Sequence, residues 1–372
     1  MKKIFYIAVS FSFFSCSTYT AMMSEKTNVN TTHKLFFSDE NMSKIEIELN
    51  GKEYNFIFDT GAGNATTIYD LKQEVDSSKI IRSRKIYGYD QSQNVTSTEY
   101  IIDTLKTAIF ESKNKFTYLI NRTLDTYCSI GKADGVIGVY AVMESNFPLF
   151  LNYEDGYISF LEDEYLNRLQ GYSEVNARFN QITGMIMIEL SINDKNYFYT
   201  FDTGNFTTII GSDLVTAKEN YSLDLLVENV GHQSKTETYH IFKNSSIKLG
   251  DYNLYFDYSN IENLNKKILS HAFIKNFNWI IDYKNKKMYF KPIGDSLFSK
   301  KEISSKPRIL NFSEKNGKIY ILSVLKNETE YKPGQIISSV GGIKITHNNL
   351  CQTLKMLNET ENWSNLNIEI EK

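Results

Sequence analysis

The chain has 372 residues, of which 41% are hydrophobic and 23% charged, so its composition excludes wholesale disorder and its length allows two or three domains. The net charge is -3, which gives no electrostatic footprint for a nucleic-acid partner, and none is predicted. Aromatic residues make up 14% of the chain, and because aromatic side chains favour strands, the composition already indicates an all-β fold.

The amino terminus has the pattern of a secretory signal. Lys2 and Lys3 precede an apolar run over residues 4–14 that is too short to span a bilayer as a helix. The run leads to Cys16, and Phe13-Phe14-Ser15-Cys16 resembles the lipobox of bacterial lipoproteins, although two phenylalanines replace the usual Leu and small residue.

We therefore predict a lipoprotein-type signal peptide over residues 1–16, with a lipid anchor to the membrane at Cys16. The predicted location is the bacterial cell envelope, either the periplasm or the outer membrane. The alternative is ordinary signal cleavage near Thr20-Ala21, without lipid. Residues 17–41 are rich in Ser, Thr, Asn and Met and show no periodicity, so they are predicted to be a tether.

The other two cysteines, Cys128 and Cys351, fall in different predicted domains, and we interpret them as lone buried thiols. The five histidines are scattered and the spacing of Cys and His matches no metal site, so no metal and no cofactor are predicted.

An internal repeat lies in the first three quarters of the chain, and its clearest stretch aligns without gaps. Residues 45–61 (IEIELNGKEYNFIFDTG) and 188–204 (IELSINDKNYFYTFDTG) share nine identities at a constant offset of 143. Each copy predicts a β-hairpin that runs directly into Asp-Thr-Gly. The hairpin consists of a strand with period-2 alternation, a turn at Asn50-Gly51 or Asn193-Asp194, and a second strand.

Both halves also end alike, as strand, charged turn and strand, over residues 150–160 and 279–290. These agreements predict a duplicated β unit with copies over residues 42–165 and 166–293. Two copies of one unit are expected to pack about a pseudo-two-fold axis, as the subunits of a dimer do, and the protein is predicted to be a monomer.

The two Asp-Thr-Gly loops, each followed later by a pair of apolar residues, resemble the aspartic peptidases of the pepsin and retropepsin type. The resemblance covers roughly residues 42–293 and is greatest to bacterial two-copy proteins. The first half carries Asp134-Gly135-Val136-Ile137-Gly138, whereas the second carries Ile268-Leu269-Ser270, with Ser where the family has Gly. Gly63 and Phe206 also depart from the family, which often has Ser or Thr at these positions.

The resemblance implies that Asp59 and Asp202 form the catalytic pair of an exported aspartic endopeptidase acting on peptides or proteins. Two carboxylates about 3 Å apart cannot both ionise, so the pair supplies a base for the attacking water and an acid for the leaving amine. Family analogy assigns supporting roles to Thr60, Gly61, Thr203 and Gly204. The alternative is a catalytically inactive peptide-binding or scaffold protein that uses the same cleft together with the PDZ-like groove of the C-terminal part described below. In a purely structural reading, the two loops are tight turns without chemistry.

The family also implies a hairpin flap over the cleft, for which residues 84–100 are the candidate. Tyr87, Gly88 and Tyr89 are predicted to contact substrate, and the alternative is a surface hairpin with exposed tyrosines. Residues 228–235 occupy the corresponding place in the second half, and His232 there is interpreted as a solvated loop residue.

The carboxyl-terminal part follows a polar linker over residues 294–306. Residues 307–372 resemble a PDZ domain, with a Pro333-Gly334 turn before a strand, a short helix near residues 348–357 and a last strand over residues 366–370. The resemblance implies a peptide ligand that adds a strand to a sheet edge, and the alternative is a structural β cap.

Overall fold

The computed structural model describes residues 25–39, 43–63, 65–69, 75–87, 94–120, 128, 133–162, 165, 167, 169–205, 208–211, 221–228, 234–261, 266–300, 310–360 and 366–371. Over these residues the fold is mostly β, as the composition predicts. We divide the described chain into a first unit (residues 25–162), a second unit (165–300) and a C-terminal module (310–371).

The described part of the first unit contains eleven strands and one α-helix. The helix α1 spans Tyr140–Glu144, and single turns of 3₁₀-helix occur at Thr60–Ala62 and Ser77–Lys79. The strands are β1 (Lys26–Val29), β2 (Leu35–Phe36), β3 (Lys44–Leu49), β4 (Lys52–Phe58), β5 (Thr66–Tyr69), β6 (Ile80–Tyr87), β7 (Asn94–Lys106), β8 (Phe110–Ile120), β9 (Gly135–Ile137), β10 (Leu149–Asn152) and β11 (Tyr157–Phe160).

The described part of the second unit also contains eleven strands and one α-helix, α2 (His271–Ile274). The strands are β12 (Ser173–Val175), β13 (Ala177–Phe179), β14 (Ile186–Ile192), β15 (Lys195–Asp202), β16 (Ile209–Gly211), β17 (Tyr221–Glu228), β18 (Ser234–Leu249), β19 (Tyr252–Ile261), β20 (Ile268–Ser270), β21 (Phe277–Asp282) and β22 (Lys287–Pro292).

The C-terminal module has its helix and last strand close to the predicted positions, since α3 spans Leu350–Glu359 and β27 spans Ile368–Ile370. Its other strands are β23 (Leu310–Lys315), β24 (Lys318–Leu325), β25 (Ile337–Val340) and β26 (Ile343–Lys344).

Four sheets organise these strands. The first unit forms an eight-stranded sheet in the order β1-β8-β5-β9-β4-β3-β7-β6, and the module forms a small sheet β26-β25-β27. A ten-stranded sheet runs β13-β14-β15-β20-β16-β19-β18-β17-β24-β23, so the module extends the sheet of the second unit. A six-stranded sheet, β12-β22-β21-β10-β11-β2, takes strands from both units and joins them at the antiparallel pair β10–β21.

The two hairpins predicted from the repeat are confirmed. β3 pairs with β4, and β14 pairs with β15, both antiparallel and in continuous register. The turn residues Asn50, Gly51, Asn193 and Asp194 have φ values of 48°, 82°, 52° and 59°. This left-handed conformation is the one that tight hairpin turns need and that Asn, Asp and Gly tolerate best.

The predicted tether is wrong over part of its length. β1 pairs with β8, and β2 pairs with β11, so both strands belong to the folded sheets. Just before β1, the carboxylate of Glu25 forms a buried ion pair with Lys115 at 2.6 Å. A polar segment without periodicity can still add an edge strand, because backbone groups rather than side chains make the ladder.

The interpretation of Cys128 and Cys351 as free thiols is also wrong, because the two residues form a disulfide with a Cα–Cα distance of 4.9 Å. They are 223 residues apart in sequence, so only the tertiary structure brings them together.

The units share one hydrophobic core, whereas the C-terminal module has its own. The shared cluster includes the fully buried side chains of Phe56, Phe201 and Trp279. The module cluster includes Leu310 and Leu350. Within the described ranges, no helix is long and apolar enough to cross a membrane.

Candidate active site at the paired Asp-Thr-Gly loops

The two Asp-Thr-Gly loops meet where the units join. Asp59 follows β4 directly, and Asp202 is the last residue of β15. Each of these strands lies parallel to a short apolar strand, β4 to β9 and β15 to β20, with Phe58 opposite Ile137 and Asp202 opposite Ser270. Each Asp is thus placed at the end of a buried strand, the position from which a side chain can reach the other unit.

Thr60 and Thr203 connect the loops through reciprocal hydrogen bonds. The Thr60 amide donates to Thr203 Oγ1 at 3.0 Å, and the Thr203 amide donates to Thr60 Oγ1 at 3.1 Å. Each hydroxyl donates to a carbonyl of the opposite unit, Thr60 to Phe201 and Thr203 to Phe58, both at 2.6 Å. Because both threonines are fully buried, the loops are held at fixed separation by four bonds that water does not reach.

Gly61 and Gly204 let each loop approach the carboxyl group of the other. A Cβ on Gly61 would lie 2.4 Å from Asp202 Cγ, and one on Gly204 would lie 2.2 Å from Asp59 Cγ. Real Cβ atoms do not come this close to other heavy atoms, so glycine is required at both positions for the carboxyl groups to sit where they do.

The Asp59 and Asp202 carboxyl groups hydrogen-bond to each other and to the backbone of the loops. The Ala62 amide donates to Asp59 Oδ1 at 3.0 Å, and the Gly204 amide donates to Asp202 Oδ1, also at 3.0 Å. Burial raises the pKa of Asp59 above its ordinary value. Burial, and then the charge of Asp59, raise the pKa of Asp202 well above its ordinary value. The two carboxyl groups therefore retain a shared proton at a pH where isolated aspartates have lost theirs.

The departure at Gly63 has a steric explanation. Its φ is 61°, and a Cβ there would lie 2.0 Å from the carbonyl oxygen of Thr183 in the second unit. A Ser or Thr at this position would collide with that backbone. Residue 63 therefore cannot carry the hydroxyl that aspartic peptidases often have beside the first Asp. Phe206, the matching departure in the second loop, lies outside the described residues.

The departure at Ser270 places a hydroxyl beneath the second loop. Ser270 is completely buried, and its Oγ has no hydrogen-bond partner among the described residues. The chain therefore accommodates the Ser side chain in this position without using its hydroxyl in the loop's hydrogen bonds.

Sequence analysis missed a buried polar cluster behind the second loop. The His271 amide donates to the carbonyl of Asn205 at 2.7 Å, which ties the start of α2 to the loop after Asp202. His271 Nδ1 lies 3.1 Å from Ser43 Oγ, which also contacts the Tyr153 hydroxyl at 2.9 Å. The contacts link the two units, and the position of His271 immediately after Ile268-Leu269-Ser270 was the available sequence signal.

The remaining predicted site residues are only partly described. β6 and β7 form the predicted hairpin in the first unit, with Tyr87 opposite Asn94 at its end. Nothing is described of the Tyr87 side chain, and Gly88 and Tyr89 lie outside the described residues. β17 and β18 form the corresponding hairpin in the second unit, whose turn, including His232, is also outside them. Cys16 is likewise outside.

Across the described ranges, no group of three or more His, Cys, Asp or Glu side chains is placed to hold a metal ion. Comparison of the chain with protein-family models and with curated proteins finds no match.

Proposed function

We propose that this chain is an aspartic endopeptidase, with Asp59 and Asp202 as its acid–base pair. The observation that carries the proposal is that two half-buried aspartates from separate units contact each other, although like charges repel. Such an arrangement is stable only with a shared proton, and a proton-sharing pair is what metal-free hydrolysis of a peptide bond requires.

The proposed reaction uses the two carboxyl groups in complementary roles. The ionised carboxylate accepts a proton from a water placed between the pair, and the water oxygen attacks the peptide carbonyl carbon. The protonated carboxyl donates to the carbonyl oxygen, and the pair then delivers a proton to the leaving amine. The proton belongs to the pair as a unit, because burial raises the pKa of both Asp59 and Asp202 and their carboxyl groups contact each other.

We propose further that the units are duplicated lobes of the retropepsin type. The strand pairings support this, because in each unit the second hairpin strand lies parallel to a short apolar strand that also pairs with the strand after the loop. Both units then continue into three long antiparallel strands, β6-β7-β8 and β17-β18-β19.

The same proposal includes a PDZ-like C-terminal module, a lipid anchor at Cys16 and a location in the cell envelope. The PDZ-like assignment is supported by the hairpin β23–β24, the helix α3 and the strand β27. β23 is the last strand of its sheet, so one of its edges is unpaired within that sheet. An extended peptide added along β23 would be the expected mode of binding.

The test is a digest of a peptide library by the mature chain and by the Asp59→Asn and Asp202→Asn variants. Both substitutions keep the side-chain shape and remove the shared proton, so each is expected to abolish cleavage while the protein stays folded. Asp194→Asn is the matched control, because Asp194 is exposed in the repeat's hairpin turn, where Asn is equally suited to its φ of 59°.

Cleavage by either dyad variant at a rate close to that of the unsubstituted chain would refute the shared-proton mechanism. If the unsubstituted chain binds library peptides but cleaves none, the chain is a peptide-binding protein that uses the same cleft.

A further inference from the structure

We infer that the Cys128–Cys351 disulfide is a reducible regulatory site, and that a dithiol reductant acting on it releases the C-terminal module from the first unit. Cys351 is the second residue of α3 and is exposed, whereas Cys128 in the first unit is half-buried. A reductant therefore reaches the Cys351 sulfur more easily than the Cys128 sulfur.

The reaction is ordinary thiol–disulfide exchange. A thiolate of the reductant attacks the Cys351 sulfur, the bond to Cys128 breaks, and Cys128 leaves as a thiolate that takes up a proton. The second thiol of the reductant then attacks the mixed disulfide, which frees the Cys351 thiol and leaves the reductant as a disulfide. Two electrons pass from the dithiol to the protein.

The disulfide closes a contact between the first unit and the C-terminal module. The Cys128 amide donates to Glu314 Oε2 at 3.2 Å, and Cys128 packs against the core of the module. Glu314 lies on β23 and is almost fully buried, and its other carboxylate oxygen accepts from the Gly317 amide at 2.9 Å. Cys128 therefore docks between β23 and α3, and the covalent bond holds it there.

The module's second attachment is a short strand pairing with the second unit. β24 pairs with β17 through three residue pairs, Leu223–Leu325, Asp224–Val324 and Leu225–Ser323. Beside these pairs lies an open groove of about 340 Å³, lined by Leu226 on β17 and by module residues that include Tyr320 and Ile336. Three residue pairs make a short seam, so few ladder hydrogen bonds hold β24 to β17.

The disulfide thus supplements the short β17–β24 pairing by keeping the module at high effective concentration beside both units. Once it is reduced, β24 is expected to separate from β17 far more often, which leaves the β17–β18 hairpin without its outer neighbour. A role of this hairpin in controlling peptide access to the cleft would rest on the proposed peptidase function. The release of the module after reduction does not depend on that function.

The experiment is hydrogen–deuterium exchange of the full mature chain, oxidised and after reduction by dithiothreitol, with the thiols counted by alkylation. Within residues 221–228 we expect the amides that face β24, in the paired stretch 223–225, to exchange at least about tenfold faster after reduction, since they lose that neighbour. Amides of β14 and β21, in the shared core, are expected to be unchanged, and reoxidation should restore the original pattern.

Cys128→Ser and Cys351→Ser are expected to reproduce the reduced pattern without reductant. Gln352→Ser, which changes the exposed neighbour of Cys351 on α3, is the matched control and should behave like the oxidised chain. Unchanged exchange over residues 221–228 after complete reduction would overturn the inference, and so would a uniform acceleration through the whole chain.

A parallel cleavage assay separates this inference from the proposed function. If reduction changes exchange over residues 221–228 but neither redox state cleaves peptides, the redox site is supported and the peptidase proposal fails.

Discussion

At the scale of single residues, the site depends on two glycines whose missing side chains make room for carboxyl groups. Gly61→Ala would place a Cβ 2.4 to 2.6 Å from the Asp202 carboxyl atoms, so the two aspartates must move apart. Displacements of about 1 Å at a reacting centre can cost about 100-fold in rate. We therefore expect peptide cleavage by Gly61→Ala to fall by about 100-fold or more.

Gly51→Ala is the control for that substitution. Gly51 has a φ of 82°, and a Cβ there would meet nothing within 4 Å, so the change strains the backbone without a collision. It is expected to lower the free energy of unfolding by about 1 kcal/mol and to leave cleavage unchanged. Equal cleavage rates in the two variants would show that Gly61 does not position the carboxyl groups.

The raised pKa values of the dyad also predict how stability depends on pH. Between the ordinary aspartate pKa and the raised folded-state pKa values, the folded protein binds more protons than the unfolded chain. The contribution of the dyad to stability is therefore fully present at low pH and is lost as pH rises through that window. Asp202→Asn removes the shared titration, so its stability relative to the unsubstituted chain should increase with rising pH.

Urea unfolding of both proteins at a series of pH values measures this difference. Because the measurement does not use cleavage, it tests the proton-sharing pair even if no substrate is found. A constant stability difference across the acidic and neutral range would mean that folding does not raise the pKa of Asp202, and would contradict the proton-sharing pair.

At the scale of elements, the junction between the units rests on the threonine hydrogen bonds that join the ends of β4 and β15. Thr203→Val keeps the shape of the side chain but leaves the buried Thr60 amide and the Phe58 carbonyl without their partner. Each of these two unsatisfied buried groups costs about 1 to 3 kcal/mol, so we expect a loss of about 2 to 6 kcal/mol in the free energy of unfolding.

Thr203→Ser retains the hydroxyl and serves as the control. It should recover most of the stability, and the shortfall should correspond to one buried methyl group, about 1 kcal/mol. If chemical denaturation finds that Val and Ser at this position are equally stable, the reciprocal hydrogen bonds do not hold the units together.

At the scale of the whole molecule, the C-terminal module protects an edge of the second unit. Its strand β24 covers β17, whose Leu223 and Leu225 are half-buried in the complete chain. An uncovered, apolar edge strand is a template for pairing with another molecule. We expect a chain ending at residue 306, with Cys128→Ser to avoid a new free thiol, to self-associate in light scattering coupled to gel filtration.

Leu225→Lys in the same shortened chain should restore the monomer, because a charge on an edge strand opposes pairing. The comparison is the full-length chain with both Cys128→Ser and Cys351→Ser, which lacks the disulfide and both of its thiols but still contains β24. A monomeric shortened chain without the lysine substitution would show that β17 does not need β24 for protection.

Local chemistry explains why much of the site could be predicted from sequence. Each of the two hairpins, β3–β4 and β14–β15, is specified within a short stretch of chain by alternating apolar residues and by turn residues that tolerate positive φ. Because the two stretches align without gaps, the first copy makes the second one evident. The pairing of Asp59 with Asp202 followed from the repeat and the family resemblance, and the contact between their carboxyl groups agrees with it.

Only the tertiary structure decided the features that depend on distant partners. Three such features leave no periodic signal in the sequence. They are the disulfide between Cys128 and Cys351, the addition of β24 to the sheet of the second unit, and the inclusion of β1 in the first sheet. The need for glycine at position 63 is also invisible in the sequence, because the atom that a side chain there would meet is a backbone oxygen more than a hundred residues away. A hairpin is specified by neighbours along the chain, whereas edge pairing, disulfide formation and close backbone approach depend on which surfaces the folded units bring together.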